Sequence, residues 1–154
     1  MNDPMTLCFD MDGTIANLYA DSNWLAKIRA YSPQPYAKAK PIGNMRALAR
    51  RLNNLQRKGY RLAIISWLSK EPNEVYDLQV TSVKKAWLQK HLGSVHFDEI
   101  LIVPYGTPKH DLVTGRAILF DDEARNRMDW AFSGRGCAYP PECIMDTLQT
   151  LKNF

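Results

Sequence analysis

The apolar positions of the chain fall into two kinds of run, one continuous and one with helical spacing. Continuous runs, typical of strands buried on both faces, predict strands over Thr6–Asp10, Arg61–Ser66, Glu99–Val103, Ala117–Asp121 and, more weakly, Gly136–Tyr139. Runs with an apolar residue every three or four positions predict helices over Asn44–Lys58, Gln79–Leu92, Glu123–Ala131 and Glu142–Leu151. A shorter helix is expected over Ser22–Tyr31, with Ser22 as its N-cap, before the sequence Ser-Pro-Gln-Pro at 32–35 stops it.

Strands and helices alternate along the chain, and the strands show no polar face. This order predicts a parallel sheet with helices on both faces, joined by right-handed crossovers. The expected fold is therefore a doubly wound, Rossmann-like α/β fold of three layers. A length of 154 residues favours one compact domain, residues 1–154.

Polar side chains follow each of the four strong strands at its carboxyl end. In chain order they are Asp10 and Asp12, then Ser66, then Lys109 after a loop, and finally Asp121 and Asp122. The carboxyl ends of parallel strands meet at one edge of the sheet, where ligands of such folds bind. Clustered carboxylates repel one another unless a cation lies between them, and Mg²⁺ prefers such oxygen ligands. We therefore expect Mg²⁺ at this edge, among the aspartates that follow the first and fourth strands.

The same residues predict phosphoryl transfer through a covalent intermediate. Asp10 would attack phosphorus in line once Mg²⁺ and Lys109 neutralise the phosphoryl charge. Asp12 would protonate the leaving oxygen and then help to activate the water that hydrolyses the aspartyl-phosphate. Ser66 would donate a hydrogen bond to a phosphoryl oxygen. Gly13 would let the chain turn sharply, so that both carboxylates face the site.

Four motifs in this order resemble those of the haloacid dehalogenase (HAD) superfamily of phosphohydrolases. FDMDGT (9–14) resembles the first motif, IISWLS (64–69) the second, TPKHDLV (107–113) the third and ILFDDE (118–123) the fourth. The resemblance implies Asp10 as the nucleophile and Asp12 as the general acid/base, which also lends its backbone carbonyl to the metal. It further implies Ser66 and Lys109 around the phosphoryl group and Asp121 and Asp122 around Mg²⁺.

Within the superfamily, the stretch from KKAWLQKHLG (84–93) to ILFDDE is similar to the 5′-deoxynucleotidases. It resembles less closely the phosphatase half of polynucleotide kinase. The 5′-deoxynucleotidases carry a larger helical cap between their first two motifs, whereas here only about residues 16–41 can serve as a cap. A nucleotide is the expected substrate of this 5′-nucleotidase-like phosphatase, with Trp24 and Trp67 as candidates for contacting its leaving group.

Other interpretations fit parts of the same pattern. A short cap also suits a phosphatase that acts on a macromolecule, such as a polynucleotide 3′-phosphatase. A module that keeps the fold and binds a ligand without catalysis is a second alternative, although no catalytic position is visibly substituted. As the catalytic lysine, Lys84 or Lys85 competes with Lys109, but both lie within a predicted helix.

Composition and charge indicate the compartment of the protein more clearly than the reaction that it catalyses. The net charge of +4 favours anionic substrates without indicating nucleic acid, and the basic residues between 46 and 61 fit a solvated helix face. The three cysteines lack metal-ligand spacing, and no apolar stretch approaches the ~20 residues that span a bilayer. With no signal pattern at the N-terminus, we expect a reduced, cytoplasmic protein without a membrane span. The oligomeric state stays open.

Overall fold

A parallel five-stranded sheet forms the centre of the fold. The structure is a computed structural model and describes residues 4–151. Residues 1–3, the start of the N-terminal stretch that lacks a signal pattern, and residues 152–154 of the predicted domain lie outside the described residues. The strands are β1 (Thr6–Phe9), β2 (Ala16–Asn17), β3 (Lys40–Pro41), β4 (Arg61–Trp67), β5 (Glu99–Val103), β6 (Ala117–Phe120) and β7 (Ala138–Tyr139). The central sheet has the order β5-β4-β1-β6-β7 with all neighbours parallel, and β2 pairs with β3 in a small antiparallel sheet.

Helices cover both faces of the central sheet and complete a three-layered α/β fold, as predicted. The short helices α1 (Trp24–Arg29) and α2 (Gln34–Ala37) lie in the segment between β2 and β3, while the sheet is flanked by α3 (Met45–Arg57), α4 (Glu74–Leu92), α5 (Ala124–Ser133) and α6 (Ile144–Thr150). Leu7 and Phe9 of β1 pack with residues of α3, α4 and α6, while Cys8 belongs to the opposite cluster with Trp130 of α5. Burial of both faces explains the continuous apolar run of β1. Within residues 4–151, no helix combines the length and the apolar character needed to cross a bilayer.

The two long helices differ in how well their N-termini were predicted. Helix α3 starts as expected, because the Asn44 side chain caps its first turn. Helix α4 begins at Glu74, so the predicted start at Gln79 is wrong. The Asn73 side chain caps this earlier start by accepting a hydrogen bond from the Tyr76 amide at 2.9 Å. Tyr76 is buried, which extends the apolar face of α4 towards its N-terminus.

Residues 16–41 fold into β2, α1, α2 and β3. The predicted cap at Ser22 is wrong, because Asn23 occupies the N-cap position of α1 without a side-chain hydrogen bond. The carboxylate of Asp21 instead accepts a hydrogen bond from the Asn23 amide at 2.9 Å. The proline-rich sequence at 32–35, expected to stop a helix, also opens α2, since the first turn of a helix tolerates proline.

Candidate active site

The carboxyl ends of β1 and β6 bring three aspartates together. Phe9 of β1 is paired with Phe120 of β6, and the Asp10 amide donates a hydrogen bond to the Phe120 carbonyl at 2.9 Å. Asp10 on one strand therefore emerges beside Asp121 and Asp122 on the other. Carboxylate oxygens of these three aspartates lie within 4.8 Å of one another. The structure thus gathers Asp10 of the first motif and both aspartates of the fourth motif at one edge of the sheet.

Lys109 joins two of these carboxylates. It lies in a 3₁₀ turn (Lys109–Asp111) after the loop that follows β5, and it is buried. Its Nζ donates to Asp10 Oδ1 at 3.0 Å and to Asp121 Oδ2 at 2.7 Å. Burial by itself would lower the pKa of Lys109, but the charges of Asp10 and Asp121 outweigh burial and raise this pKa above its usual value. Lys109 is therefore a fixed cation beside the predicted nucleophile.

Thr14, the last residue of the first motif, also belongs to this cluster, although no role was predicted for it. Its hydroxyl donates to Asp10 Oδ2 at 3.1 Å and accepts a hydrogen bond from the Asp122 amide at 3.2 Å. Thr14 thus holds one oxygen of Asp10 while Lys109 holds the other. Gly13 has a φ of +81°, and a Cβ at this position would collide with the Asp122 carboxylate. A glycine is required there for both reasons.

The acids of this cluster carry more negative charge than the protein groups around them neutralise. Burial and the charge of Asp10 raise the pKa of Asp121, although Lys109 acts in the opposite direction. Burial and the neighbouring Asp10 raise the pKa of Asp122 to about 8. Asp121 is also held in place by Asn126, whose Nδ2 donates to Asp121 Oδ2 at 3.1 Å. Carboxylates that hold protons so readily fit a site for a hard divalent cation, which would replace those protons.

Asp12 pairs with a different cation. The Nζ of Lys84, in the middle of α4, donates to Asp12 Oδ2 at 2.9 Å. The same Nζ donates to Ser66 Oγ at 2.7 Å and to the Trp67 carbonyl at 2.7 Å. Lys84 is 1% exposed, and its Nζ lies 4.8 Å from the centre of the Tyr36 ring. Lys84, the alternative candidate for the catalytic lysine, therefore pairs with Asp12, the second aspartate of the first motif.

The contact between Lys84 and Asp12 was not predicted, although the sequence carried a signal for it. Lys84 shares the buried face of α4 with Val80 and Trp87, which lie four residues before it and three after it. A lysine on such a face must find a polar partner, because an unpaired charge is costly there. Lys85 lies on the exposed face of α4, where water solvates its charge. The helical spacing of Lys84 with Val80 and Trp87 predicts a buried lysine, but it does not predict which carboxylate the lysine contacts.

Ser66 lies in β4 at the predicted place and is fully buried. Because its Oγ accepts a hydrogen bond from Lys84, its own hydrogen stays available for a second partner. Ser66 is not among the residues that line the cleft over the aspartates. Its hydrogen bond to a phosphoryl oxygen stays a prediction, as does the role of the Asp12 carbonyl as a metal ligand.

A cleft of about 720 Å³ lies over the site, and its lining includes Asp10, Asp12, Lys109 and Asp122. Its walls come from the segment that contains α1 and α2, from the end of β4 and the chain that follows it, and from the loops after β5 and β6. Aromatic side chains lie on both sides of the cleft. Trp24 packs edge-on against Tyr19 with ring centres 4.8 Å apart, and Trp67 packs against Tyr105 with ring centres 4.9 Å apart. The structure therefore places both predicted substrate-contacting tryptophans on the cleft.

The arrangement of strands and helices is shared with solved structures of low sequence identity. The first is D,D-heptose 1,7-bisphosphate phosphatase from Burkholderia thailandensis, with 13% identity, a TM-score of 0.54 and coverage of 84% of this chain and 74% of that one. The chain has a HAD-like fold. The heptose bisphosphate phosphatase of B. bronchiseptica, complexed with magnesium and phosphate, has 15% identity and a TM-score of 0.51, over 88% of this chain and 78% of that one.

A third similar structure is a protein of Mesorhizobium loti named as a HAD-like phosphatase. It has 12% identity and a TM-score of 0.56, with coverage of 88% of this chain and 71% of that one. No protein-family model matches the chain, and no curated protein matches its sequence. These likenesses establish the fold, and the similarity to 5′-deoxynucleotidases stays a prediction.

Proposed function

We propose that the chain is a Mg²⁺-dependent phosphomonoesterase that works through an aspartyl-phosphate on Asp10. The observation that carries this proposal is the environment of Asp10. Lys109 holds one of its oxygens, Thr14 holds the other, and the aspartates that follow β6 lie beside it. A carboxylate held in this way at the base of a cleft is a preorganised nucleophile.

Asp10, Asp121 and Asp122 are the residues that would hold Mg²⁺. Their fit rests on the donor set, three carboxylates within 4.8 Å of one another, and on the raised pKa values of Asp121 and Asp122. When bound, Mg²⁺ would neutralise charge on the phosphoryl oxygens, so that an anionic nucleophile can approach an anionic substrate.

The residues of the chain account for two half-reactions. In the first, the Asp10 carboxylate attacks phosphorus and the bond from phosphorus to the leaving oxygen breaks, while Lys109 stabilises the negative charge. Asp12 donates a proton to the leaving oxygen. In the second, Asp12 takes a proton from the water that attacks the aspartyl-phosphate. Hydrolysis restores the Asp10 carboxylate and releases inorganic phosphate.

We propose a nucleotide as the substrate, with its base against the aromatic walls of the cleft. The Trp67 ring is fixed by a hydrogen bond from its Nε1 to the Thr107 carbonyl at 2.9 Å. The centre of this ring lies 5.4 Å from Lys109 Nζ, so a leaving group bonded to the phosphate would pass close to it. Trp24 lines the opposite side of the cleft and would also contact the base.

Phosphate release by the purified protein tests the reaction. We expect hydrolysis of p-nitrophenyl phosphate that requires Mg²⁺ and stops in EDTA. Asp10→Asn should abolish turnover, whereas Asp111→Asn, which changes an exposed acid in the turn that holds Lys109, should leave it unchanged. Full activity of Asp10→Asn, or full activity in EDTA, would contradict the mechanism. A folded wild type that binds Mg²⁺ and releases no phosphate would support the binding module instead.

A comparison of substrates tests the leaving group. We expect kcat/KM to be higher for a 5′-mononucleotide than for a sugar phosphate or a 3′-phosphorylated oligonucleotide. Trp24→Ala should raise KM for the nucleotide, and Phe132→Ala, at an exposed aromatic residue of α5, should not. A preference for the oligonucleotide would favour the polynucleotide 3′-phosphatase, and a preference for the sugar phosphate would contradict the nucleotide assignment.

A further inference from the structure

We propose that Lys84 is a positioning residue that holds Asp12 in place for proton transfer, an inference that rests on the proposed function. Asp12 has to reach the leaving oxygen in one half-reaction and the attacking water in the other. Its carboxylate therefore needs a defined position, because small displacements of a catalytic group reduce the rate steeply. Lys84 donates to Asp12 Oδ2 at 2.9 Å and supplies that constraint.

The contacts of Lys84 tie two neighbouring strand ends together. An ammonium group has three N–H donors, and Lys84 directs one to Asp12, one to Ser66 Oγ and one to the Trp67 carbonyl. Ser66 and Trp67 end β4, whereas Asp12 follows β1, the strand that pairs with β4. The donors of the lysine are all used, so Asp12 cannot swing away without leaving a buried N–H unpaired.

The ion pair has one end in the core and one end at the cleft. Lys84 is 1% exposed and is enclosed by the ring of Tyr36, whereas the Asp12 side chain is 17% exposed and lines the cleft. Lys84 is not among the residues that line the cleft, so it acts through Asp12 and not on the substrate. A buried lysine that fixes a partly exposed carboxylate at the cleft suits proton transfer by Asp12.

The test uses the proton that Asp12 donates. The nucleoside of a 5′-mononucleotide would leave as a basic alkoxide and needs that proton, whereas the nitrophenol of p-nitrophenyl phosphate leaves as a weakly basic phenolate and scarcely needs it. The ratio kcat/KM reports the steps up to phosphoryl transfer, so the hydrolysis step common to both substrates does not enter. We expect Lys84→Met to lower kcat/KM for the nucleotide at least about tenfold more than for the aryl phosphate.

Matched variants separate this role from a merely structural one. Lys85→Met removes the neighbouring exposed lysine and should change neither substrate. In an Asp12→Asn background, Lys84→Met should add no further selective loss. If circular dichroism shows that Lys84→Met does not fold, Lys84→Arg replaces it. Arginine keeps the charge but cannot aim three donors at the same three acceptors, so the same selective loss is expected.

Equal losses on the two substrates in the folded variant would overturn the proposal. That outcome differs from failure of the proposed function, in which the wild type would hydrolyse neither substrate. An active wild type with equal losses would leave Lys84 as a structural residue and would not affect the assignment of Asp10.

Discussion

Two buried lysines pair with the two aspartates of the first motif, Lys109 with Asp10 and Lys84 with Asp12, and their surroundings differ. Lys109 lies in a short turn, donates to the carboxylates of Asp10 and Asp121, and lines the cleft. Lys84 lies inside a 19-residue helix and donates to one carboxylate, one hydroxyl and one carbonyl behind the cleft. Burial and ion pairing alone therefore do not identify a catalytic lysine. Access to the substrate and the number of carboxylates that it neutralises distinguish the two.

Lys109→Met should reduce activity more than any other substitution considered for these two lysines. Loss of a charge that stabilises the transition state should lower kcat/KM by about 10²–10³-fold. The loss should be similar for aryl and alkyl phosphates, because Lys109 acts on the phosphoryl group and not on the leaving oxygen. Steady-state kinetics with Mg²⁺ present measure it. A loss confined to the alkyl phosphate would give Lys109 the role proposed for Lys84 and would erase the distinction between them.

The stability of the protein should depend on Lys84 far more than on its neighbour. Lys84→Met leaves Asp12, Ser66 and the Trp67 carbonyl without their donor, and because the Asp12 carboxylate reaches the solvent of the cleft, we expect a loss of about 1–3 kcal/mol. Lys85→Met changes an exposed residue and should shift the free energy of unfolding by less than about 0.5 kcal/mol. Urea denaturation of the metal-free proteins measures both. Equal stabilities would show that the buried contacts contribute little.

The acids around Lys109 should make Mg²⁺ binding depend on pH. The pKa of Asp122 is raised to about 8 from an ordinary 3.8, so its protonated form stabilises the metal-free protein at low pH. This contribution is lost as the pH rises from about 4 towards 8. Because Mg²⁺ must displace that proton, its affinity should be about tenfold higher at pH 9 than at pH 6, after allowance for solvent screening.

The Mg²⁺-induced rise in melting temperature at the two pH values measures this dependence. Asp122→Asn should remove most of it, whereas Lys84→Met should leave it unchanged, because Lys84 pairs with Asp12 outside the acidic cluster. An unchanged pH dependence in Asp122→Asn would assign the bound proton to another acid.

Ser66→Ala should have a smaller effect than the lysine substitutions. It removes one of the three acceptors of Lys84, a change worth about 1 kcal/mol for a typical hydrogen bond. We expect a loss of about threefold to tenfold in kcat/KM, confined to the alkyl phosphate if Ser66 acts only through Lys84 and shared by the aryl phosphate if Ser66 also donates to a phosphoryl oxygen. A rise in KM for both substrates would instead support the predicted hydrogen bond from Ser66 to a phosphoryl oxygen.

The ends of β1 and β6 show why part of the site was predictable from the sequence. An apolar run followed by acids marks the carboxyl end of a buried strand, and parallel pairing then brings Asp10 next to Asp121. Helix starts were less predictable where the apolar spacing was weak, as at Glu74, because a single asparagine cap decided the boundary. The apolar spacing was also weak in the short helices of residues 16–41, a segment that contains two prolines close together, and their starts were equally hard to predict.

Local periodicity and parallel pairing are enough to predict the α/β fold, the order of the five strands of the central sheet and of the helices that flank it, and the acids at the ends of two strands. The pairing of Lys84 with Asp12, the hydrogen bond between Thr14 after β1 and Asp122 after β6, and the full burial of Ser66 emerge only when the layers pack together. Those contacts join residues far apart in the chain, and they depend on how a helix is rotated and seated on the sheet. No spacing along one segment encodes that rotation, since it results from the packing of all three layers at once.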